Sequence, residues 1–251
     1  MMGERTDFRT KRLYVEDALA AGQAIEADRA QANYLLNVLR LKAGDLVQLF
    51  NGRDGEWLAE IVPGGRKACS LAPQKQLRPQ PEPYDLRLCF APLKQARLDY
   101  MVQKAVEMGA GFLQPVLTRY TQVPKLNRDR IQANMLEAAE QCGILTIPEL
   151  GTPVTLDRMV ETWTSEQNGR VLIFCDELAE AAASPRGLPA LDGRPLAVLI
   201  GPEGGFSEDE RDLLHSKSFV HALSLGPRIL RADTAAVAAL AIVQAFIGDY
   251  R

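Results

Sequence analysis

Metal-ligating side chains are scarce in this sequence. There are two histidines, His215 and His221, and four widely spaced cysteines, Cys69, Cys89, Cys142 and Cys175, with no Cys-x-x-Cys pair. A protein-bound metal needs such ligands at short, fixed spacing, so no metal site is expected. Cysteines flanked by apolar neighbours, as in Leu88-Cys89-Phe90 and Phe174-Cys175, read as buried free thiols. No apolar run reaches the ~20 residues of a membrane helix. Residues 1–12 are polar and charged with no apolar core behind them, so no signal peptide is expected and the expected location is the cytoplasm. Nor is there an excess of positive charge: 29 Lys+Arg stand against 32 Asp+Glu, a net charge of −3. A nucleic-acid partner would have to be held by local basic patches, not by the overall field. The imbalance is uneven, with 12 Lys+Arg against 11 Asp+Glu in residues 1–83 and 17 against 21 in residues 84–251.

What is present falls into two rhythms. Asp45–Phe50 reads as a strand, Asn51-Gly52 as a turn, and Glu56–Val62 as an alternating strand closed by Pro63-Gly64-Gly65. With a short helix at Ala30–Leu39, this suggests a small β-barrel over residues 1–73. The stretch Pro73–Pro83 holds four prolines in eleven residues and almost nothing apolar, so residues 74–83 read as an extended, semi-rigid linker. Beyond it, residues 84–251 contain strand-like runs at Leu86–Ala91, Phe112–Leu117, Val171–Cys175, Leu196–Ile200 and Val220–Leu225. Helical patterns lie between most of them; one sets Leu98, Met101, Val102, Ala105 and Val106 on one face. Buried strands alternating with helices predict an α/β domain with a parallel sheet covered on both faces. Ligands in such sheets bind at the carboxyl ends of the strands.

Two glycine-bearing loops follow strands there. Gly201-Pro202-Glu203-Gly204-Gly205-Phe206 follows Leu199-Ile200 and leads into Ser207-Glu208-Asp209-Glu210, a capping box that starts a helix. Such glycines let backbone N–H groups approach a ligand, or they simply make a tight turn. The loop is neither a dinucleotide fingerprint nor a Walker loop, which disfavours a nucleotide-phosphate site. The second loop, Leu225-Gly226-Pro227-Arg228-Ile229-Leu230-Arg231, leads into an almost wholly apolar helix with Asp233 as its expected N-cap. Such a helix belongs inside the chain or between subunits. Arg228 and Arg231 precede its N-terminus, where the dipole disfavours positive charge, so an anion contact is one role for them and a solvated or paired arginine the other.

These two loops closely resemble those of the ribosomal RNA small subunit methyltransferase E family of the SPOUT superfamily. Val38-Leu39-Arg40-Leu41 with Gly44-Asp45 resembles the family's N-terminal motif. Lys94, Gln103-Lys104-Ala105, Glu107 and Glu140-Gln141-Cys142-Gly143 resemble its middle motifs. The likeness spans nearly the whole chain. It departs at Thr118-Arg119, where Glu-Arg is expected, at Ile144, where an arginine is expected, and at Asn33, often a histidine. The resemblance implies a PUA-like β-barrel followed by a SPOUT domain with a C-terminal trefoil knot, a homodimer, and methylation of N3 of a uridine in 16S rRNA. It implies S-adenosylmethionine as cofactor, held by Leu199, Ile200, Gly201, Gly204, Gly205, Leu225, Gly226, Ile229 and Leu230. Arg231 would hold a phosphate or stabilise charge on the uracil carbonyls. Glu203 would accept the N3 proton or, alternatively, the loop N–H groups. Arg9, Lys11, Arg12, Arg40 and Lys42 in the less acidic half are the expected RNA contacts, extended by Lys94 and Arg119. The partner is then small-subunit rRNA or the 30S subunit. The competing expectations are a SPOUT enzyme acting on another RNA, and a non-catalytic RNA-binding ribosome assembly factor.

Overall fold

The computed structural model describes residues 10–64, 68–123, 125–178 and 184–250. The chain divides into two compact units, Met1–Glu82 with Ala139–Ile147, and Pro83–Ala138 with Pro148–Arg251.

The first unit holds β1 (Arg12–Tyr14), β2 (Ile25–Glu26), α1 (Arg29–Asn33), β3 (Leu46–Phe50), β4 (Glu56–Pro63) and β5 (Cys69–Arg78). They form one five-stranded sheet in the order β1-β3-β4-β5-β2, with β1 parallel to β3 and the other pairs antiparallel. Asn51 makes the β3–β4 turn: its Oδ1 accepts from the N–H groups of Arg53 and Asp54, as an Asx turn does. Helix α1 is closed at its start by a reciprocal capping box between Asp28 and Gln31, and runs into one wider turn at Tyr34–Val38. Leu13, Leu35, Val47, Leu49, Ile61 and Leu71 are among the residues of its core.

Residues 74–78, expected to be linker, are instead the second half of β5, paired with β4 as far as Arg78↔Glu56. Prolines are tolerated on a strand edge that needs no donor. Strand β2 pairs only with Ser70 and Leu71, which leaves Pro73 on such an edge.

The second unit carries β6 (Leu86–Phe90), α2 (Gln95–Glu107), β7 (Phe112–Leu117), most of α3 (Arg128–Cys142), β8 (Glu149–Leu150), β9 (Val154–Thr155), α4 (Leu156–Glu166), β10 (Val171–Cys175), β11 (Leu196–Ile200), α5 (Glu208–His215), β12 (Val220–Leu223) and α6 (Ala232–Ile247). Its sheet has the order β12-β10-β11-β6-β7-β8, with β9 also on β7, and every pair is parallel. Strands β10 and β11 are buried along their whole length, as central parallel strands covered on both faces must be. After β10 the chain adds β11 on one side, then returns to add β12 on the other. The crevice where the winding reverses is where α/β sheets bind ligands.

Candidate functional site

A cleft of about 340 Å³ opens at this reversal point, within the range of small-molecule sites. Its walls come from three strand ends: residues 175–177 at the end of β10, 200–205 at the end of β11, and 225–226 with 228–232 after β12, with Ala235 from the first turn of α6. The first glycine loop is anchored by Phe206, whose buried ring meets Phe174 edge-on with centroids 5.0 Å apart. Ser207 and Glu210 then form the capping box of α5, as expected from sequence. Gly205 has φ +67°, and the space a side chain would fill there holds the carboxylate of Glu177. A Cβ at Gly204 would lie 3.3 Å from the Cβ of Tyr120.

Asp176, 2% exposed, fixes the end of β10. One carboxylate oxygen accepts from the Arg211 guanidinium and from Leu178 N (3.0 Å), and the other lies 3.0 Å from His215 Nε2. Both partners lie on α5, so this buried charge ties the β10 loop to the helix that follows the glycine loop. The Cys175 thiol on the same wall is pushed up to about 12 by burial, and Cys89 likewise. Neither is a thiolate near neutral pH, which agrees with their reading as inert core thiols.

Of the cofactor residues expected from sequence, Ile200, Gly201, Gly204, Gly205, Leu225, Gly226, Ile229 and Leu230 line the cleft together. Leu199 does not: it is fully buried in the core among Phe174, Leu172 and Phe206, because alternate residues of a strand face opposite ways. Glu203 and Arg231 both reach the cleft. Glu203 receives a hydrogen bond from Arg97 Nη1 at 2.9 Å on its Oε1. Helix α6 starts two residues earlier than expected, with Arg231 and not Asp233 at the N-cap position. The Arg231 side chain makes no cap bond and is exposed.

Sequence reading missed Asp176 and Glu177 as cleft residues. The only signal for them was their place just past a strand-like run, since acidic residues after a strand are common in any loop.

The expected RNA contacts divide. Lys11, Arg40 and Lys42 are exposed in the first unit, and Lys94 and Arg119 are exposed in the second. Arg9 lies outside the described residues. Arg12 is a correction: it is buried, 7% exposed, and its guanidinium is consumed by structural bonds. Its Nε donates to Glu56 at 2.7 Å, Nη1 to the carbonyls of Ala139 and Glu140, and Nη2 to that of Ile144. Ala139 and Glu140 are in the last turn of α3, whose carbonyls have no partner within the helix, so a buried cation there satisfies them and suits the dipole. Among the described residues there is no cluster of three His, Cys, Asp or Glu able to hold a metal, and no helix long and apolar enough to cross a membrane.

The cleft therefore offers backbone amides, an apolar slot and arginines at its rim, a donor set suited to a small ligand with an apolar heterocycle and a polar tail. Comparison with known proteins agrees. The model of the RNA methyltransferase domain matches residues 80–244, and that of the RNA methyltransferase PUA domain matches residues 27–74. A ribosomal RNA small subunit methyltransferase E of Rickettsia conorii is 34% identical over 93% of this chain and 94% of its own. A methyltransferase structure from Legionella pneumophila, in complex with its cofactor S-adenosylmethionine, is 32% identical, has a TM-score of 0.82, and is covered over 98% of its length by 94% of this chain. The Neisseria gonorrhoeae ribosomal RNA small subunit methyltransferase E, bound to S-adenosylmethionine, shares the fold at 24% identity, with a TM-score of 0.82 over 96% of this chain and all of that one. With both of its parts matched and a relative at this identity over nearly its full length, the chain belongs to the ribosomal RNA small subunit methyltransferase E family.

Proposed function

We propose that this protein transfers the methyl group of S-adenosylmethionine to N3 of one uridine in small-subunit rRNA, as a cytoplasmic homodimer with a knotted C-terminal core. The observation that carries the reading is the cleft at the reversal point of the sheet, where both glycine loops meet under Arg231. The cofactor supplies an already activated methyl group, so the chain has only to align it with the attacking nitrogen and manage one proton. Ile200, Leu225, Ile229 and Leu230 offer apolar walls to an adenine, and the main chain at Gly201, Gly204, Gly205 and Gly226 can approach it closely. Glu203, oriented by Arg97, is the candidate acceptor of the N3 proton. Arg231, free of any capping bond, is set to stabilise the charge that then builds on the uracil carbonyls. Lys11, Arg40 and Lys42 of the first unit supply salt-sensitive phosphate contacts.

The test is to incubate the protein with S-adenosylmethionine and small ribosomal subunits from a strain lacking the enzyme, then digest the rRNA and identify the product by mass and retention. N3-methyluridine at one position is expected. A methyl group on another atom, or transfer only to another RNA, refutes the assignment. A monomer in light scattering at micromolar concentration refutes the dimer.

A further inference from the structure

We propose that Tyr120 is a stacking platform for a base of the RNA substrate, working with the phosphate-binding Arg119 beside it. The inference rests on the reading of the cleft as an RNA-methylating site and concerns how that site receives a base. Tyr120 belongs to the turn after β7 and is 47% exposed. Neither its ring nor its hydroxyl has a hydrogen-bond or ring partner among the described residues.

The turn that carries the ring is closed by three hydrogen bonds between Thr118 and Thr121. Thr118 N donates to Thr121 Oγ1 at 2.8 Å, the two threonine hydroxyls are 3.1 Å apart, and Thr121 N returns to Thr118 O at 3.1 Å. The turn is also tied to the cleft. Glu210 accepts from Arg119 N at 2.7 Å on one oxygen and from Ser207 N at 2.9 Å on the other. The carboxylate that caps α5 therefore also fixes the 118–121 turn against the end of the first glycine loop. The root of the ring sits on Gly204, which lines the cleft. Glycine at 204 thus has a second reason: a side chain there would push Tyr120 away.

An aromatic ring held by its backbone but open on its surface gives up little freedom when a base stacks on it. Methylation on a base's pairing edge requires the base to leave its own stack, which bares a π-face that such a ring can cover. Arg119, its backbone fixed and its side chain exposed, presents a cation to the phosphate next to that base.

The experiment uses full-length protein carrying Tyr120→Ala, Tyr120→Leu or Tyr120→Phe. It measures KM and kcat on small subunits from the deletion strain, subunit binding by filter retention, and S-adenosylmethionine affinity by calorimetry. Tyr120→Ala and Tyr120→Leu are expected to weaken subunit binding about ten-fold or more, the loss typical of one base–aromatic stack. Tyr120→Phe should match wild type, and cofactor affinity should be unchanged in all three. The proposal is overturned if Tyr120→Ala binds subunits normally, if Tyr120→Phe is equally impaired, or if the loss appears in cofactor affinity. Should the wild-type protein bind subunits but methylate none, the activity reading fails, while the binding comparison still decides the role of Tyr120.

Discussion

Replacing Arg12 by alanine separates a structural cation from an RNA contact. Glu56 is 1% exposed and held by two arginines: Arg12 Nε at 2.7 Å, and Arg78 through Nε at 2.7 Å and Nη2 at 3.0 Å. Removing one partner of a buried ion costs about 3–5 kcal/mol. Arg78 keeps its two-pronged hold and is 31% exposed, so the lower end of that range applies. Of the carbonyls that Arg12 serves, Ala139 keeps the N–H of Ile144 at 3.1 Å, while the bonds to Glu140 and Ile144 are only part-buried and water replaces them in part, so their loss adds ~1 kcal/mol in all. A total near 4 kcal/mol follows. At about 4–8 °C per kcal/mol for a unit of this size, the first thermal transition should fall by at least ~15 °C. Circular dichroism on the full-length protein, by heat and by urea, measures this. Lys11→Ala is the control: exposed and unpaired among the described residues, it should leave the transition in place and weaken subunit binding at low salt. Wild-type stability in Arg12→Ala together with lost subunit binding would refute the argument and restore Arg12 as an RNA contact.

Three further outcomes are expected. Burial alone would push the Glu56 carboxyl up, but the hydrogen bonds from Arg78 and Arg12 outweigh it and hold the group below its ordinary 4.5. Its contribution to stability is therefore complete above that pH and drains away as pH falls through the lower folded value, so acid unfolding monitored by Trp57 fluorescence should begin below about pH 4.5 and lose that component in Glu56→Gln. Gly226→Ala meets no atom within 4 Å but must adopt φ +98°, so a strain of about 1–2 kcal/mol should shift the loop and weaken cofactor affinity roughly ten-fold by calorimetry without lowering the melting temperature much; wild-type affinity would show that this loop does not shape the site. Arg231→Ala should keep cofactor affinity and thermal stability, since the side chain makes no capping bond, while single-turnover methylation falls by ~100-fold or more if it stabilises developing charge; an unchanged rate would leave it a solvated rim residue.

Much of this protein was legible because its signals are local. The apolar runs at Val171–Cys175 and Leu196–Ile200 read as buried strands of a parallel sheet, and they are, because residues buried on both faces of a sheet must be apolar throughout. The capping box at Ser207–Glu210 marks a helix start through bonds that span three residues. The two glycine loops were recognisable as written, and the bend of each is encoded where it occurs. Other features depend on residues far apart in the chain. Nothing near Arg12 announces that its partners are Glu56 and the carbonyls of 139–144, so composition made it a surface cation while packing made it the cap of a helix end. Residues 74–78 of the proline-rich stretch 74–83 read as linker because edge or interior is a property of the neighbouring strand, and β2 is only two residues long. Asp176 and Glu177 entered the cleft wall, and Leu199 left it, through strand order and side-chain alternation in the sheet. The sequence by itself determined which segments become strands, helices and ligand-approach loops, since those choices follow from backbone preference and apolar spacing. Only the tertiary structure decided which charges are buried and which strand ends share a cleft, because a charge's fate is set by the distant groups that fold around it.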